Sequence, residues 1–240
     1  MTFFERQFNE IRAFMERKKA AGTVREIVHS KKTVWPEGGN RNLVLEQDMA
    51  VELGNPQNES ASFLLFEDDS GQIKDGRISI VGPDLPQSVD KKLSFGKVVL
   101  VGGTDFSHEN SYDRYREMES IRYDIDLKGY MMRATSQYQR EWSRVSREAI
   151  QDGFSLEILG GKLIDRFREN AYVSSVEVIF VTSSKEDVIV LKEIAEQAIR
   201  ITGAMNKMIV EMSFDCDACE YTDVCQDVSA LRSMREKIKK

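Results

Sequence analysis

The chain has 240 residues, of which 41% are hydrophobic and 31% charged, a globular balance with enough length for one large domain or two small ones. A net charge of −6 excludes a general nucleic-acid binder, which needs a basic face. No apolar run reaches the ~18 residues of a membrane span, and Met1-Thr2-Phe3-Phe4-Glu5-Arg6 has neither the basic nor the apolar part of a signal peptide, so the expectation is a cytoplasmic protein, with no nucleic-acid and no membrane partner.

In chain order, Phe4, Phe8, Ile11 and Met15 recur at helical spacing and predict an amphipathic helix over residues 3–21, with Gly22 as its stop. Pro36, Gly38 and Gly39 make 29–45 irregular, a linker or arm. Short apolar runs then predict strands at Met49–Leu53, Ser62–Phe66, Arg77–Val81 and Lys97–Val101, separated by turn residues such as Gly54-Asn55-Pro56 and Lys74-Asp75-Gly76. Gly82-Pro83-Asp84 and Gly102-Gly103 read as turn punctuation; neither is a phosphate fingerprint.

A charged helix is predicted over 110–128, a strand at Trp142–Val145, and a helix over 156–169 whose buried side carries Leu156, Leu159, Leu163, Ile164 and Phe167. Val176–Val181 is a strong strand. A helix over 184–202 follows, with Ser183 and Glu186 at capping-box spacing and Gly203 as its stop. One more strand is expected at Met208–Met212. A short helix begun at Asp227 carries Leu231, Met234 and Ile238 on one face. Strands and helices alternate irregularly, so the predicted class is α+β, a mixed sheet packed with helices. The expected organisation is an N-terminal helix and arm over 1–45, an α+β domain over 46–212, and a cysteine motif with its helix over 213–240.

All three cysteines lie within ten residues, as Cys216-x2-Cys219-x5-Cys225. In a compartment that keeps thiols reduced, an odd and clustered set points to metal ligation. Two cysteines two residues apart can aim at one centre, and a third close by supplies three corners of a four-iron, four-sulfide cluster. A structural zinc site usually takes four protein ligands, yet there is no fourth cysteine, and His29 and His108 are distant in sequence. The expected cofactor is therefore an iron–sulfur cluster, with zinc as the alternative and three unliganded thiols as the plainest one. Spacing gives the metal and not the reaction.

Three stretches carry a family resemblance: Asp48–Pro56 followed by Ile78–Leu85; Trp142–Ile150 running on through Gly153, Phe154 and Gly160; and Val176–Thr182 with the helix after it, leading to Phe214 and the cysteines. In order and approximate spacing they resemble the acetyl-CoA synthase (beta) subunit of the carbon monoxide dehydrogenase/acetyl-CoA synthase complex, over roughly residues 46–226. The resemblance implies the α+β domain that precedes that enzyme's active-site domain. It also implies one-carbon chemistry with coenzyme A and a corrinoid methyl donor. The departures are specific. The gap before the third cysteine is three residues shorter than in the family. The family's fourth cluster cysteine has no counterpart in Gln226 to Lys240, nor has its later Cys-Gly-Cys that holds the distal nickel. A family aromatic near the coenzyme A site falls at Met131 or Arg133. What the resemblance implies is thus a truncated, acetyl-CoA synthase-like iron–sulfur protein of anaerobic one-carbon or corrinoid methyl metabolism, lacking a complete nickel site. It would work with a corrinoid or iron–sulfur partner protein, and could share ligands across a homo-oligomer.

Two other readings stand beside it: a non-catalytic module that binds coenzyme A or a partner and is stapled by its metal, and an electron-transfer subunit. Arg133, Arg140, Arg144, Arg147, Arg166 and Arg168 could meet the phosphates of coenzyme A. The plainer expectation is a solvated helical face paired with Glu141, Glu148 and Asp165. Trp142 is expected in the core and His108 on the surface. No Ser/His/Asp or Cys/His set can be assigned.

Overall fold

A computed structural model describes residues 2–39, 42–44, 50–68, 71–88, 92–136, 139–210, 216 and 219–238. Its centre is a five-stranded sheet built from β1 (Val24–Val28), β3 (Ser60–Asp68), β4 (Arg77–Val81), β6 (Phe95–Gly103) and β9 (Val173–Val181). The strand order is β1-β4-β9-β6-β3. β4 and β9 run parallel, as do β6 and β3, while β1 with β4 and β6 with β9 are antiparallel. Every residue of β6 is buried. Its near-continuous apolar run is the mark of a strand covered on both faces.

The two covers differ. α1 (Glu5–Ala20) and α5 (Lys185–Val210) lie on one face: Leu191 packs over Gly96, and Arg12 reaches Glu177 of β9 at 2.9 Å. The opposite face takes α4 (Leu156–Arg168), whose Gly160 sits against Ile78. Beside α4 lies a second sheet, in the order β5-β2-β8-β7. Its strands are β2 (Ala50–Leu53), β5 (Lys92–Leu93), β7 (Tyr130–Ser136) and β8 (Arg140–Ser146). α2 (Ser111–Ile121) and the short α3 (Arg147–Gln151) complete this half, and α6 (Thr222–Asp227) and α7 (Ser229–Ile238) close the chain. The class is the expected α+β, a mixed sheet packed with helices. The three resembling stretches meet through it. β2 pairs with β8 and β4 with β9, and the Thr182 hydroxyl donates to the Pro83 carbonyl at 2.6 Å.

Several local expectations change. β1 and β7 are edge strands that periodicity did not reveal. The residues of β1 are all intermediate or exposed, so no apolar alternation marks it. The helix expected over 110–128 ends at Ile121, where Arg122 turns into the core. α5 does not stop at Gly203 but continues to Val210, so no strand forms at 208–210, and 211–212 lie outside the described residues. The cap of α5 falls one residue later than expected: the Asp187 amide donates to Ser184 Oγ at 3.2 Å, while Ser183 Oγ donates to the Asp187 carboxylate. Asp227 ends α6 rather than starting the final helix, which begins at Ser229. Met49 of the first expected strand lies outside the described residues.

Candidate metal centre

α5 and α7 position the cysteine segment. The amphipathic stripe of α5 continues past Gly203 through Ala204, Met205 and Met208, all buried. Gly203 is a contact point and not a terminus: a Cβ there would lie 2.7 Å from Tyr221 Oη and 2.9 Å from its Cζ. Tyr221 therefore lies directly on α5, and it opens α6. Arg200 of α5 fixes the same junction by donating to Asp223 Oδ1 at 2.7 Å and to the Glu220 carbonyl at 3.3 Å. α7 packs from the other side through Leu231 and Met234, at 0% and 1% exposure.

Cys216, Cys219 and Cys225 all line one pocket, together with Met208, Tyr221 and Thr222. Cys225 sits in α6 and is buried, whereas Cys216 and Cys219 are intermediate. The Thr222 hydroxyl bridges the first two, donating to the carbonyls of Cys216 at 2.5 Å and Cys219 at 2.9 Å. The Cys225 amide donates to the Tyr221 carbonyl at 2.9 Å. Burial pushes the Cys225 thiol upward and the neighbouring Cys219 adds to this, while the charge of Arg235 opposes it. Lys207 and Arg235 bring two cations to the same pocket. Among the described residues, no three His, Cys, Asp or Glu side chains are gathered tightly enough, as they stand, to hold a metal ion. The fold thus brings the three expected cysteines to one place without closing them on a point. Tyr221, Lys207 and Arg235 had not been singled out; only the position of Arg235 beside Met234 on the apolar stripe of α7 signalled it.

On the far side of α6 a larger groove of about 590 Å³ runs between α1, α5 and α6, lined in part by Arg6, Asn9, Gln197, Arg200, Val224 and Asp227.

Three of the arginines expected around Trp142 pair with carboxylates, though not with the expected ones. Arg144 binds Glu52 at 2.8 Å, Arg166 binds Asp124 at 2.5 Å and also Glu169, and Arg168 binds Asp75 at 2.7 Å. Arg140 donates to the Asn58 carbonyl at 2.9 Å. Asp165 holds His29 instead, at 2.8 Å, and Glu141 is taken by a buried lysine, Lys97, at 2.5 Å. Trp142 is half-buried between two guanidiniums, with Arg133 at 5.4 Å and Arg144 at 5.2 Å from its ring. His108 is half-buried rather than on the open surface, and its Nδ1 has no hydrogen-bond partner among the described residues.

An α+β scaffold carrying a three-thiol pocket at one end defines a class of protein, and sequence comparison gives it a family. Residues 38–188 match the family described as CO dehydrogenase/acetyl-CoA synthase complex beta subunit. That is more than half of the chain, and the chain belongs to this family. The match takes in β2 to β9 and ends before the cysteines.

Among its relatives is the acetyl-CoA decarbonylase/synthase complex subunit beta of Methanothermobacter thermautotrophicus, 31% identical over 56% of this chain and 28% of the relative. The carbon monoxide dehydrogenase/acetyl-CoA synthase subunit alpha of Moorella thermoacetica is 29% identical, over 72% of this chain and 24% of the relative. The acetyl-CoA decarbonylase/synthase complex subunit beta 1 of Methanosarcina thermophila is 28% identical, over 76% and 39%. The chain therefore spans between 24% and 39% of the length of these relatives. Among the described residues, no helix is long and apolar enough to cross a membrane.

Proposed function

We propose that this chain is an acetyl-CoA synthase-like iron–sulfur protein that holds a four-iron, four-sulfide cluster through Cys216, Cys219 and Cys225 and works with a protein partner in one-carbon metabolism. The observation that carries the reading is the convergence of all three cysteines on one pocket beside Lys207 and Arg235. Thiolates and sulfides make such a centre anionic, and two adjacent cations offset that charge. The chemistry of the donor set fits the group. Zinc, with Zn–S bonds of about 2.3 Å, would need its thiolates drawn onto one point and a fourth ligand.

Once bound, the cluster supplies an electron-transfer centre or an iron open to an exogenous ligand. Around it, Thr222 holds the first two cysteine carbonyls, and Arg200 pins the start of α6, the helix that brings Cys225 to the same pocket. Support for a partner comes from the relatives, which by name are subunits of complexes. A corrinoid or another iron–sulfur protein is the proposed partner, and the cytoplasm of an anaerobe the proposed setting. Complete acetyl-CoA synthesis is not proposed for a chain spanning so little of its relatives.

Anaerobic reconstitution followed by iron and sulfide analysis tests the assignment. About four of each per chain are expected, falling sharply in C216A, C219A and C225A variants. A colourless protein with stoichiometric zinc sinks it. If the metal merely staples the C-terminus, the cysteine variants lose stability around α6 and α7; if the centre acts in chemistry or electron transfer, they fold normally and lose that activity.

A second reading has its own observation. The Trp142 ring lies between Arg133 and Arg144, and Arg133 makes no ion pair among the described residues. An indole flanked by guanidiniums suits a ligand with both an aromatic base and phosphates, such as coenzyme A. Quenching of tryptophan fluorescence by coenzyme A, abolished by W142F and weakened by R133A, supports it; an unchanged spectrum removes it.

A further inference from the structure

We infer that the outer edge of β1 is a docking site for an extended segment of a partner protein. The segment adds a strand to the five-stranded sheet and carries an acidic residue beside its apolar ones. The inference goes beyond the reading above and stands without the cluster.

The first observation is the direction of the hydrogen bonds of β1. It is an edge strand, antiparallel to β4, with Val24 opposite Val81 and Val28 opposite Arg77. In such a pair, bonded and unbonded residues alternate. The His29 amide donates to the Gly76 carbonyl at 2.7 Å, and the Thr23 carbonyl accepts from the Gly82 amide at 3.1 Å. Counting by twos between them, Arg25 and Ile27 bond inward as well. The amides and carbonyls of Val24, Glu26 and Val28 therefore point outward, and among the described residues none of them makes a hydrogen bond. The chain is described continuously from residue 2 to residue 39, on both sides of this strand. The other edge, β3, differs: its Ser62 amide donates to the Gln139 carbonyl at 2.6 Å. Charged side chains commonly guard an open edge. Here both are drawn back onto the protein, Arg25 to Asp84, and Glu26 to Arg77 at 2.9 Å and Lys19 at 3.2 Å.

The second observation is a receptor for side chains beside that edge. A pocket of about 270 Å³ opens between the end of β1 and α4, lined in part by Ile27, Val28, His29, Lys31, Val34 and Ile158. Val34 and Val28, at 94% and 73% exposure, are the two most exposed large apolar side chains among the described residues. The wall is fixed in advance, because Asp165 of α4 accepts from the Thr33 amide at 2.7 Å and holds His29 Nε2 at 2.8 Å. An added strand gains main-chain hydrogen bonds along β1 and turns alternate side chains toward such a pocket.

Charge selects the occupant. Lys31 lines the pocket and Lys32 follows it; both are exposed, and among the described residues neither makes an ion pair. Glu157, also at the pocket, stands in the first turn of α4, where a carboxylate offsets the helix dipole. The two lysines remain for an acidic residue of the incoming segment. A second copy of this chain is the poorer occupant. Antiparallel pairing centred on the strand sets Glu26 opposite its own counterpart, and like charges directly opposite are unfavourable.

The experiment uses the full chain, labelled with nitrogen-15, and the blocked peptide acetyl-Asp-Val-Thr-Val-Asp-amide, whose acids at both ends suit either strand direction. NMR reads the affinity and, residue by residue, the amide exchange. Binding is expected to slow exchange at Val24, Glu26 and Val28 and to leave Arg25 and Ile27 nearly unchanged. The basic analogue acetyl-Lys-Val-Thr-Val-Lys-amide is expected to bind about threefold more weakly, with the order reversed in K31E/K32E. V28P removes one outward donor and none of the bonds to β4, so affinity falls about fivefold while slow exchange at Ile27 shows the strand intact. Should V28P disturb that strand, K31E/K32E decides alone. No binding of either peptide at millimolar concentration overturns the inference. So does binding that leaves the three outward amides unprotected, or that an intact V28P does not weaken. Equal affinity for the two peptides overturns it as well, because charge would then select nothing. Protection of the same amides without peptide, lost on dilution, identifies a second copy as the occupant and also overturns it.

Discussion

Lys97 Nζ lies 2.5 Å from Glu141 Oε2, and the two side chains are 1% and 0% exposed. Lys97 belongs to β6 of the five-stranded sheet and Glu141 to β8 of the four-stranded one, so this pair ties the two sheets together. Around it, Ser62 and Ser143 each donate to Glu141 at 2.8 Å, and Arg122 donates to Ser62 at 2.7 Å. Removing one charge strands the other in the core. K97M and E141Q are each expected to lose about 3–5 kcal/mol, and the double variant less than their sum. Urea denaturation of the four proteins in a double-mutant cycle checks this; additive losses would mean the pair is not coupled.

Glu177 gives the fold a predicted acid limit. Its side chain is fully buried, which by itself would raise its pKa. The paired hydrogen bonds of Arg12, both at 2.9 Å, and the charge of Arg77 at 2.8 Å outweigh burial and hold the carboxyl below its ordinary range. The stabilisation is therefore fully present above the unfolded value of about 4.3 and disappears as pH falls through the lower folded-state value. Denaturation midpoints measured from pH 6 down to pH 2.5 should fall steeply in the wild type. They should fall less steeply in E177Q, which is also expected to start about 3–5 kcal/mol less stable at pH 7.

Asp84 connects the turn after β4 to the start of α4. Its Oδ1 accepts from the Leu85 amide at 2.7 Å and from the Leu156 amide at 2.9 Å, while Gln87 Oε1 accepts from the Asp84 amide at 3.0 Å. Both leucines are at 0% exposure, so D84A leaves two buried amides unpaired. A loss of about 2–4 kcal/mol is expected from two such groups. D84N, which keeps one carbonyl acceptor, should lose roughly half as much on the same denaturation curve.

Gly203 and Tyr221 make a test of the α5 to α6 junction. In an exposed helix, Gly to Ala gains about 1 kcal/mol. Here the added methyl would meet the Tyr221 ring end at 2.7 Å. G203A is therefore expected to destabilise the wild type and to stabilise a Y221A background. A gain in both backgrounds would show that the ring yields freely. Because Tyr221 lines the cysteine pocket, G203A should also lower iron retention.

Much of the architecture was legible because burial leaves a periodic record. The stripes of α1, α4 and α5 and the apolar runs of β3, β4, β6 and β9 each announce an element packed against a core. Where packing is one-sided or absent the record fades. β1 reads Val-Arg-Glu-Ile-Val, and β7 mixes Met, Arg and Thr, because these two edge strands stay largely uncovered, whereas β3, an edge strand packed under α5, keeps its apolar run. Gly203 misled as a helix stop because local propensity and tertiary contact make opposite demands there. The helix keeps the glycine so that an aromatic ring can approach its backbone.

The sequence by itself determined the α+β class, the family through its three motifs, and the three thiols as the candidate ligand set, since residue type and spacing suffice for these. Tertiary structure alone decided what stands around those thiols. That Arg235 and Lys207 enter the cysteine pocket depends on how α7 and α5 pack, not on any spacing between the residues. It likewise decided that Lys97 and Glu141, 44 positions apart, share one buried ion pair. A charge in a sequence looks the same whether water or a counter-ion will stabilise it. Only the fold, by removing the water, makes one partner necessary.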